Sequence, residues 1–422
     1  MDIKSTTDKD RAGNAGRALK ISFVFYAREK RKHVKRFNLA LLWFGAAISL
    51  AEILTGTLYA SLDTKTAVLS ILLGHGIGAV LFYLAAYLSA RTKLPAMEAT
   101  AISFGAYGSK FFAGLNVVQL VGWTAIMIAS GAQAASALNL GFSYHAFVVL
   151  IALLIMAWIV FSRSGIHIIN SIAVVLVLIV CVFMSVHVLG EGISSEQSST
   201  LSNFASMVEL SIAMPLSWLP LVGDYVYKAE RPKKASFIAA LSYTIASIWM
   251  YLLGFAAAKI TSSADLSSLF ALSRLGILSI YLVVISTVTT TFLDAYSAGQ
   301  SGFAISKRIS IKASAIGATL VGMILALSVD VSNFEHFLYF IGSVFAPMIA
   351  LLFTDFYLLK KEYGEKNHYR INMLIWLIGF IMYRQILVLE VPYLIPTLVV
   401  FVGLIILKLL SNVLLRRESL MN

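Results

Sequence analysis

Twelve long apolar runs, separated by short loops rich in lysine and arginine, constrain this chain more than any other feature. They lie at about 37–60, 67–89, 111–138, 145–162, 167–189, 205–227, 236–258, 274–301, 313–329, 334–359, 371–389 and 392–415. Crossing about 30 Å of hydrocarbon takes roughly 17–25 residues, or more where a helix tilts. Inside a bilayer only helices and closed barrels satisfy every backbone N–H and C=O. Barrel strands alternate apolar and polar residues, whereas runs such as Ala173–Phe183 are apolar throughout, so the runs read as helices. Composition agrees. The chain is 59% hydrophobic and 13% charged, with a mean hydropathy of +0.85, against about 25% charged residues in a soluble protein. The expected fold class is an all-α polytopic membrane protein with 12 transmembrane helices.

The net charge of +12 is explained by where the charges lie. Eleven of the 33 lysines and arginines fall in the first 36 residues. The even-numbered loops hold most of the rest: Arg91, Lys93 and Lys110; Arg163; Lys228, Arg231, Lys233 and Lys234; Lys307, Arg308 and Lys312; Lys360, Lys361, Lys366 and Arg370. Arg416 and Arg417 follow the last run. The odd-numbered side shows only Lys65, Lys259 and Arg274. Basic loops stay cytoplasmic, so both ends are expected inside a cell (inner or plasma) membrane. The basic surface suits anionic lipid rather than nucleic acid. Near the N-terminus the short apolar stretch Ile21–Ala27 precedes the basic run Arg28–Arg36, the reverse of a cleaved signal peptide. Cys181 is the sole cysteine, so no internal disulfide forms, and no metal motif such as HExxH is present.

Two runs depart from plain helices. Span one places Gly45, Ser49, Glu52 and Gly56 near mid-membrane, and span six carries Pro215, Pro220 and Gly223 within nine residues. Proline removes a backbone donor, and freed carbonyls are tolerated only where they face protein or a wet cavity. Interruptions five spans apart suggest two five-helix inverted repeats with discontinuous helices at equivalent positions. The corresponding parts are a basic tail 1–36, a first repeat 37–204, a second repeat 205–370, two additional spans 371–415 and a C-terminal tail 416–422.

The polar residues inside these runs are the candidate chemistry. Glu52 in span one and Asp294 in span eight each cost roughly 2.5–3.5 kcal/mol at mid-membrane, so each needs a partner or a cavity. A cation, a proton or a polar substrate is the functional reading; a helix-to-helix hydrogen bond is the structural one. Glu209 and Asp224, at the ends of span six, read as caps or gate contacts. Gln119, Trp123 and Met127 recur at i, i+4 and i+8, on one helical face. An indole beside an amide suits a flat heteroaromatic ligand, with Trp218 as an opposite wall. Span eight also carries Ser286, Thr287, Thr289, Thr290 and Thr291, whose hydroxyls suit a hard cation or bond back to their own helix. His75, in Gly74-His-Gly-Ile-Gly78, reads as part of a close-packing small-residue face rather than a metal ligand.

The stretches Leu42–Gly56, Gly74–Gly78 and Asn116–Met127 resemble the nucleobase:cation symporter-1 family. They are most similar to its cytosine-permease-like branch of hydroxymethylpyrimidine transporters (the CytX type), with similarity from about residue 36 to the last span. The resemblance implies a LeuT-like five-plus-five inverted-repeat fold with two extra C-terminal helices, a substrate held between spans one, three, six and eight, and Na⁺ or H⁺ as driver. It puts the stacking Trp on Trp123 and its polar partner on Met127, where that hydrogen bond is missing and Gln119 or Glu52 replaces it. The second stacking aromatic falls nearest Pro215, with Trp218 close by. The hydroxyl pair for Na⁺ falls on Thr289 and Thr290, with Ser286 one turn earlier and main-chain contributors within Ala47–Ala51. The expected function is import of a small aminopyrimidine, first hydroxymethylpyrimidine (the thiamine precursor). Glu52 is expected to accept from the amino group and adjacent ring nitrogen of the protonated ring, Trp123 and Trp218 to sandwich it, Ser49 and Asp294 to stand around it, and no cofactor is needed beyond the coupling ion. A cytosine or purine permease is the alternative. An enzyme is disfavoured because no acidic or histidine cluster stands at a membrane face, and a sensor because neither tail is long enough for an output domain.

Overall fold

The computed structural model describes residues 36–421, apart from 137–140, 162–165, 192–203, 262–276, 329–333, 364–367, 390 and 392. Among the described residues the regular structure is helical, and a helix stands at each of the twelve expected positions. Nine are long and apolar enough to cross a bilayer, and the pair Asn38–Ala47 and Leu50–Ser61, bent by 43°, makes a tenth. The other two positions are held by Ile166–Glu191 and Ile277–Ile305, of 26 and 29 residues. At about 1.5 Å per residue either exceeds the hydrocarbon thickness.

Span one is Arg36–Ala47 with Leu50–Thr57, and span two is Thr64–Thr92. A short helix, Ala96–Ala99, leads into Ala101–Ser136, which kinks at Gly105 before becoming span three. Spans four and five are Tyr144–Phe161 and Ile166–Glu191, and span six is Phe204–Ser217 with Leu219–Val226. Spans seven, eight and nine are Pro232–Thr261, Ile277–Ile305 and Ile311–Ser328. Span ten, Phe334–Phe353, ends in a π-helical turn at Thr354–Leu358; Tyr369–Leu389 and Pro396–Met421 are spans eleven and twelve. The last helix thus continues through most of the stretch expected as a tail.

The packing obeys one rule. Span one lies on span seven and span six on span two; two meets seven; three meets eight; three lies on nine and eight on four; four meets nine. Adding five to each span number turns every one of these contacts into another of them or into itself. Five crossings reverse direction in a membrane, so this is the pattern of an inverted repeat. Spans one, two, six and seven form one group, and three, four, eight and nine another. Small residues bring the first group's backbones together. A Cβ on Gly254 would overlap the Ile53 carbonyl, and one on Gly78 would overlap the Pro215 ring.

Spans eleven and twelve stand outside this symmetry, on span ten and on each other. Only 28% and 22% of their apolar windows are buried, against 89% for span six, so their remaining faces meet lipid. Two polar anchors hold them. Lys408 lies 3.2 Å from Asp355 in the π turn, and Asn372 donates to Asp355 (3.1 Å) and to the Ser103 carbonyl (2.6 Å). Glu209 of span six accepts from Tyr383 (2.6 Å) and from the Thr397 backbone N–H (2.9 Å) at the start of span twelve. Glu209 is thus a cap for another helix, as Asp224 is for Ala96 N–H (3.1 Å).

Candidate functional site

The two interruptions differ in degree. In span one Ser49 is extended (φ −135°, ψ 158°) and caps the second half, its Oγ accepting from Glu52 N–H at 3.3 Å. That leaves the Ile48 carbonyl without its helical donor, and the Ser286 hydroxyl of span eight supplies one at 3.0 Å. Span six is less broken than its two prolines suggest: only Trp218 leaves the helical pattern, between Ser217 and Leu219. Leu221 N–H turns to the Trp218 carbonyl (3.1 Å), and the Ser217 carbonyl accepts instead from Gln119 Nε2 of span three at 2.6 Å. So span eight satisfies the break in span one, and span three satisfies the break in span six. This is the same five-span symmetry at the level of single hydrogen bonds. A buried carbonyl left unpaired costs about 1–3 kcal/mol, which is why these contacts tie the two helix groups together.

Between the groups lies a small cavity. Ser49, Ala51 and Glu52 line it from span one, Trp123 and Met127 from span three, Met214, Ser217, Trp218 and Leu221 from span six, and Thr290 and Asp294 from span eight. Trp123 is braced edge-on against Phe337 of span ten (5.6 Å), and Trp218 against Trp43 (5.5 Å) and Tyr243 (5.9 Å). Thr290 and Asp294, one turn apart, share the cavity-facing side of span eight. The lining carries two carboxylates and no basic side chain.

The two carboxylates are placed differently. Glu52 is buried and held: Oε1 accepts from the Tyr243 hydroxyl at 2.6 Å and Oε2 from Ser247 at 2.7 Å, both on span seven. Asp294 is also buried, yet makes no hydrogen bond to the described residues. The open acceptor in the cavity is therefore Asp294, where the sequence pointed first to Glu52.

Of the expected substrate contacts, Glu52, Ser49, Trp123, Met127, Trp218 and Asp294 line the cavity. Gln119 is buried beside it, its amide nitrogen spent on Ser217 and its Oε1 without a partner. Pro215 does not line it. Its ring packs on Gly78 of span two, because Met214, Ser217, Trp218 and Leu221, at i, i+3, i+4 and i+7, form the face toward the cavity and Pro215 lies off that face. Met214, Ser217 and Leu221 are lining residues the sequence reading missed, and Ala51, expected only as a main-chain contributor to the cation site, also lines the cavity. Nothing in their chemistry marks them; the helical spacing of Met214, Ser217 and Leu221 with Trp218 was the available signal.

The expected cation ligands are only partly gathered. Ser286 meets the span-one break through Ile48, one residue beyond Ala47, whose carbonyl accepts from Ser49 N–H (2.9 Å). Thr289 donates to the Ile285 and Ser286 carbonyls, both at 3.0 Å, and Thr290 faces the cavity. This all-oxygen set around a broken helix fits a hard monovalent cation. Among the described residues no group of three or more His, Cys, Asp or Glu side chains is placed to hold a metal.

Known proteins agree with this architecture. The profile of the family described as permease for cytosine/purines, uracil, thiamine, allantoin matches residues 26–375. The cytosine permease of Escherichia coli K12 is 22% identical over 326 residues, 76% of this chain and 77% of the relative. Mhp1, a nucleobase-cation-symport-1 family transporter solved closed with bromovinylhydantoin bound, superposes with a TM-score of 0.72 at 16% identity, over 88% of this chain and 91% of that one. A Na⁺-coupled sialic acid symporter, in a substrate-bound outward-open state, gives 0.65 at 15% identity, over 93% and 95%. These likenesses establish the shared fold, and the profile establishes the lineage. The chain is a multi-pass membrane transporter, not an enzyme, and belongs to the family of permeases for cytosine/purines, uracil, thiamine and allantoin.

Proposed function

We propose that this chain imports a small aminopyrimidine, with hydroxymethylpyrimidine as the first candidate, driven by Na⁺ or H⁺. The observation that carries the reading is the cavity itself: two braced indoles, an open carboxylate and no basic group. A flat ring stacked on an indole gains about 0.5–1.5 kcal/mol beyond burial. A protonated aminopyrimidine presents two adjacent N–H donors, and a carboxylate accepts both, at about 1.5–3 kcal/mol for each charge-assisted bond. Asp294 takes that role, with Glu52 setting the negative field from the opposite side. Ser286, Thr289, Thr290 and the carbonyls at Ala47–Ile48 would hold Na⁺, whose charge offsets Asp294 and favours the loaded state.

The two helix groups, joined by the bonds at the breaks and by contacts such as Asn116 to the Pro220 carbonyl and Tyr225 to the Leu293 carbonyl, rock about the cavity to expose it to either side in turn. In this reading residues 37–204 and 205–370 are the two repeats, both ends are cytoplasmic, and the membrane is the cell's plasma or inner membrane. A second reading is import of cytosine, favoured by the name of the Escherichia coli relative. Cytosine offers the same exocyclic amino group beside a ring nitrogen. The test is thermal stabilisation of the purified protein by hydroxymethylpyrimidine, cytosine, adenine, uracil and thiamine, with and without Na⁺. Aminopyrimidines should raise the melting temperature and uracil, which lacks the amino donor, should not. Stabilisation by uracil alone would sink the proposal.

A further inference from the structure

We propose that Glu52, Ser247 and His75 form a proton relay, a binding site for a coupling proton inside the group of spans one, two, six and seven. The proposal rests on the reading of the chain as an importer. Its geometry is a continuous chain of short contacts. Ser247 Oγ lies 2.7 Å from Glu52 Oε2 and 2.7 Å from His75 Nε2; His75 Nδ1 lies 2.7 Å from Ser211 Oγ and 3.0 Å from the Ile71 carbonyl; Ser211 Oγ lies 2.9 Å from that carbonyl. All four side chains are buried. One end of the chain, Glu52, lines the cavity. The other, Ser211, is on span six.

Counting hydrogens shows what this arrangement can do. Ser247 has one hydrogen and two neighbours, so it donates to one and accepts from the other. In the first pattern Glu52 is a carboxylate, Ser247 donates to it, and Nε2–H donates to Ser247. In the second Glu52 carries the proton and donates to Ser247, which donates to the Nε2 lone pair. Passing between them breaks the Nε2–H bond and forms a bond from that proton to Ser247 Oγ. Meanwhile the Ser247 proton moves to Glu52 Oε2. One proton crosses, and no other species is needed.

The far nitrogen records whether an extra proton is present. With the relay loaded, Nδ1 carries a hydrogen toward Ile71 in both patterns, so the ring is cationic in the first and neutral in the second; the Ile71 carbonyl only accepts, and Ser211 donates to it as well. With it unloaded, Glu52 is ionised, the neutral ring keeps Nε2–H, and Nδ1 accepts from Ser211, which gives up Ile71. Loading therefore turns a hydroxyl on span six and, in the second pattern, neutralises Glu52 on span one, the two interrupted spans. The titratable groups facing the relay are Tyr243 on Glu52 Oε1, Tyr251 with its ring edge-on to His75 (4.7 Å), and Tyr59, whose hydroxyl donates to the Met207 carbonyl (2.6 Å). Beyond Tyr59 stand Glu335 and Tyr339 of span ten. A plain helix clamp would need the hydrogen bonds but not the transferable proton, and that difference is measurable.

The test compares wild type with His75→Gln, Ser247→Ala and Ser247→Thr in proteoliposomes, using labelled cytosine and labelled hydroxymethylpyrimidine as probes. Two modes are read: exchange without a gradient, and accumulation driven by an inward proton gradient without Na⁺. His75→Gln should exchange within about twofold of wild type yet accumulate at least tenfold less, and Ser247→Ala should lose at least tenfold more accumulation than exchange. Ser247→Thr, which keeps the hydroxyl, should accumulate normally. Undiminished accumulation by His75→Gln, or exchange and accumulation falling together in all three variants, would overturn the relay. Infrared titration of the purified protein needs no substrate. A carboxylic-acid C=O band abolished by Glu52→Gln should shift its titration midpoint in His75→Gln, and an unshifted midpoint also overturns the relay. If wild type moves neither probe while the band shifts as expected, the substrate reading fails and the relay stands.

Discussion

Replacing Asp294 by Asn separates recognition from folding. The carboxylate is buried in the cavity wall and makes no hydrogen bond to the described residues, so its loss breaks nothing in the protein. It also removes a charge whose burial is unfavourable, so the variant should melt at or slightly above the wild-type temperature. Binding should suffer. Asn keeps one acceptor oxygen and presents an N–H₂ where the ligand's second donor points, so one charge-assisted bond is lost outright and the other weakens to a neutral one. The first loss alone is about 1.5–3 kcal/mol, which at 1.4 kcal/mol per decade raises the apparent Kd roughly 10- to 150-fold. Scintillation proximity binding of labelled hydroxymethylpyrimidine and cytosine to detergent-purified protein measures this, with thermal unfolding on the same samples. Unchanged affinity in a normally folded Asp294→Asn protein would refute the assignment of Asp294 as the recognition carboxylate.

Other substitutions probe the scaffold and the cation set. Gln119→Ala strands the Ser217 carbonyl at the turn in span six and should lower stability by about 1–3 kcal/mol, read as a fall in melting temperature without ligand. Gly254→Ala forces a methyl into the Ile53 carbonyl across spans one and seven and should cost about 1–3 kcal/mol. Gly76→Ala on span two meets nothing within 4 Å and should be neutral or slightly stabilising. Combined Thr289→Ala and Thr290→Ala should abolish any stimulation of uptake by Na⁺ while leaving proton-driven uptake in place; retained Na⁺ stimulation in that variant would remove these hydroxyls from the cation site.

Much of the fold was legible because the bilayer imposes simple rules. Run length and the clustering of Lys and Arg in alternate loops located helices at all twelve positions, and Gly45 to Gly56 marked span one as interrupted. Span six misled in part. Pro215 and Pro220 each delete one backbone donor, but neither dictates a bend, and the helix turns only at Trp218. The site was legible where a residue's cost in hydrocarbon is high, as for Glu52 and Asp294, or where helical spacing gathers a face, as for Gln119, Trp123 and Met127. What lies across the face is not written in the spacing, so Gln119 serves the Ser217 carbonyl rather than opening onto the cavity. The partners of Glu52 were invisible for a related reason. Tyr243 and Ser247 are ordinary residues in an apolar helix, almost two hundred positions away, and only the packing of span one on span seven brings them to the carboxylate. His75 read as part of a packing face, and its neighbours Gly74 and Gly78 do pack closely on span six. Its hydrogen bonds to Ser211 and Ser247 depend on three spans meeting.

The central claim is that an acidic, indole-walled cavity between the two helix groups selects and carries an aminopyrimidine. The most direct measurement is uptake of labelled hydroxymethylpyrimidine and cytosine into proteoliposomes under imposed Na⁺ and proton gradients. Wild type should accumulate at least one of them above equilibrium, Trp123→Ala and Trp218→Ala should each lose most of that uptake, and an anionic pyrimidine such as orotate should not compete. No accumulation of either base under either gradient, or effective competition by orotate, would contradict it.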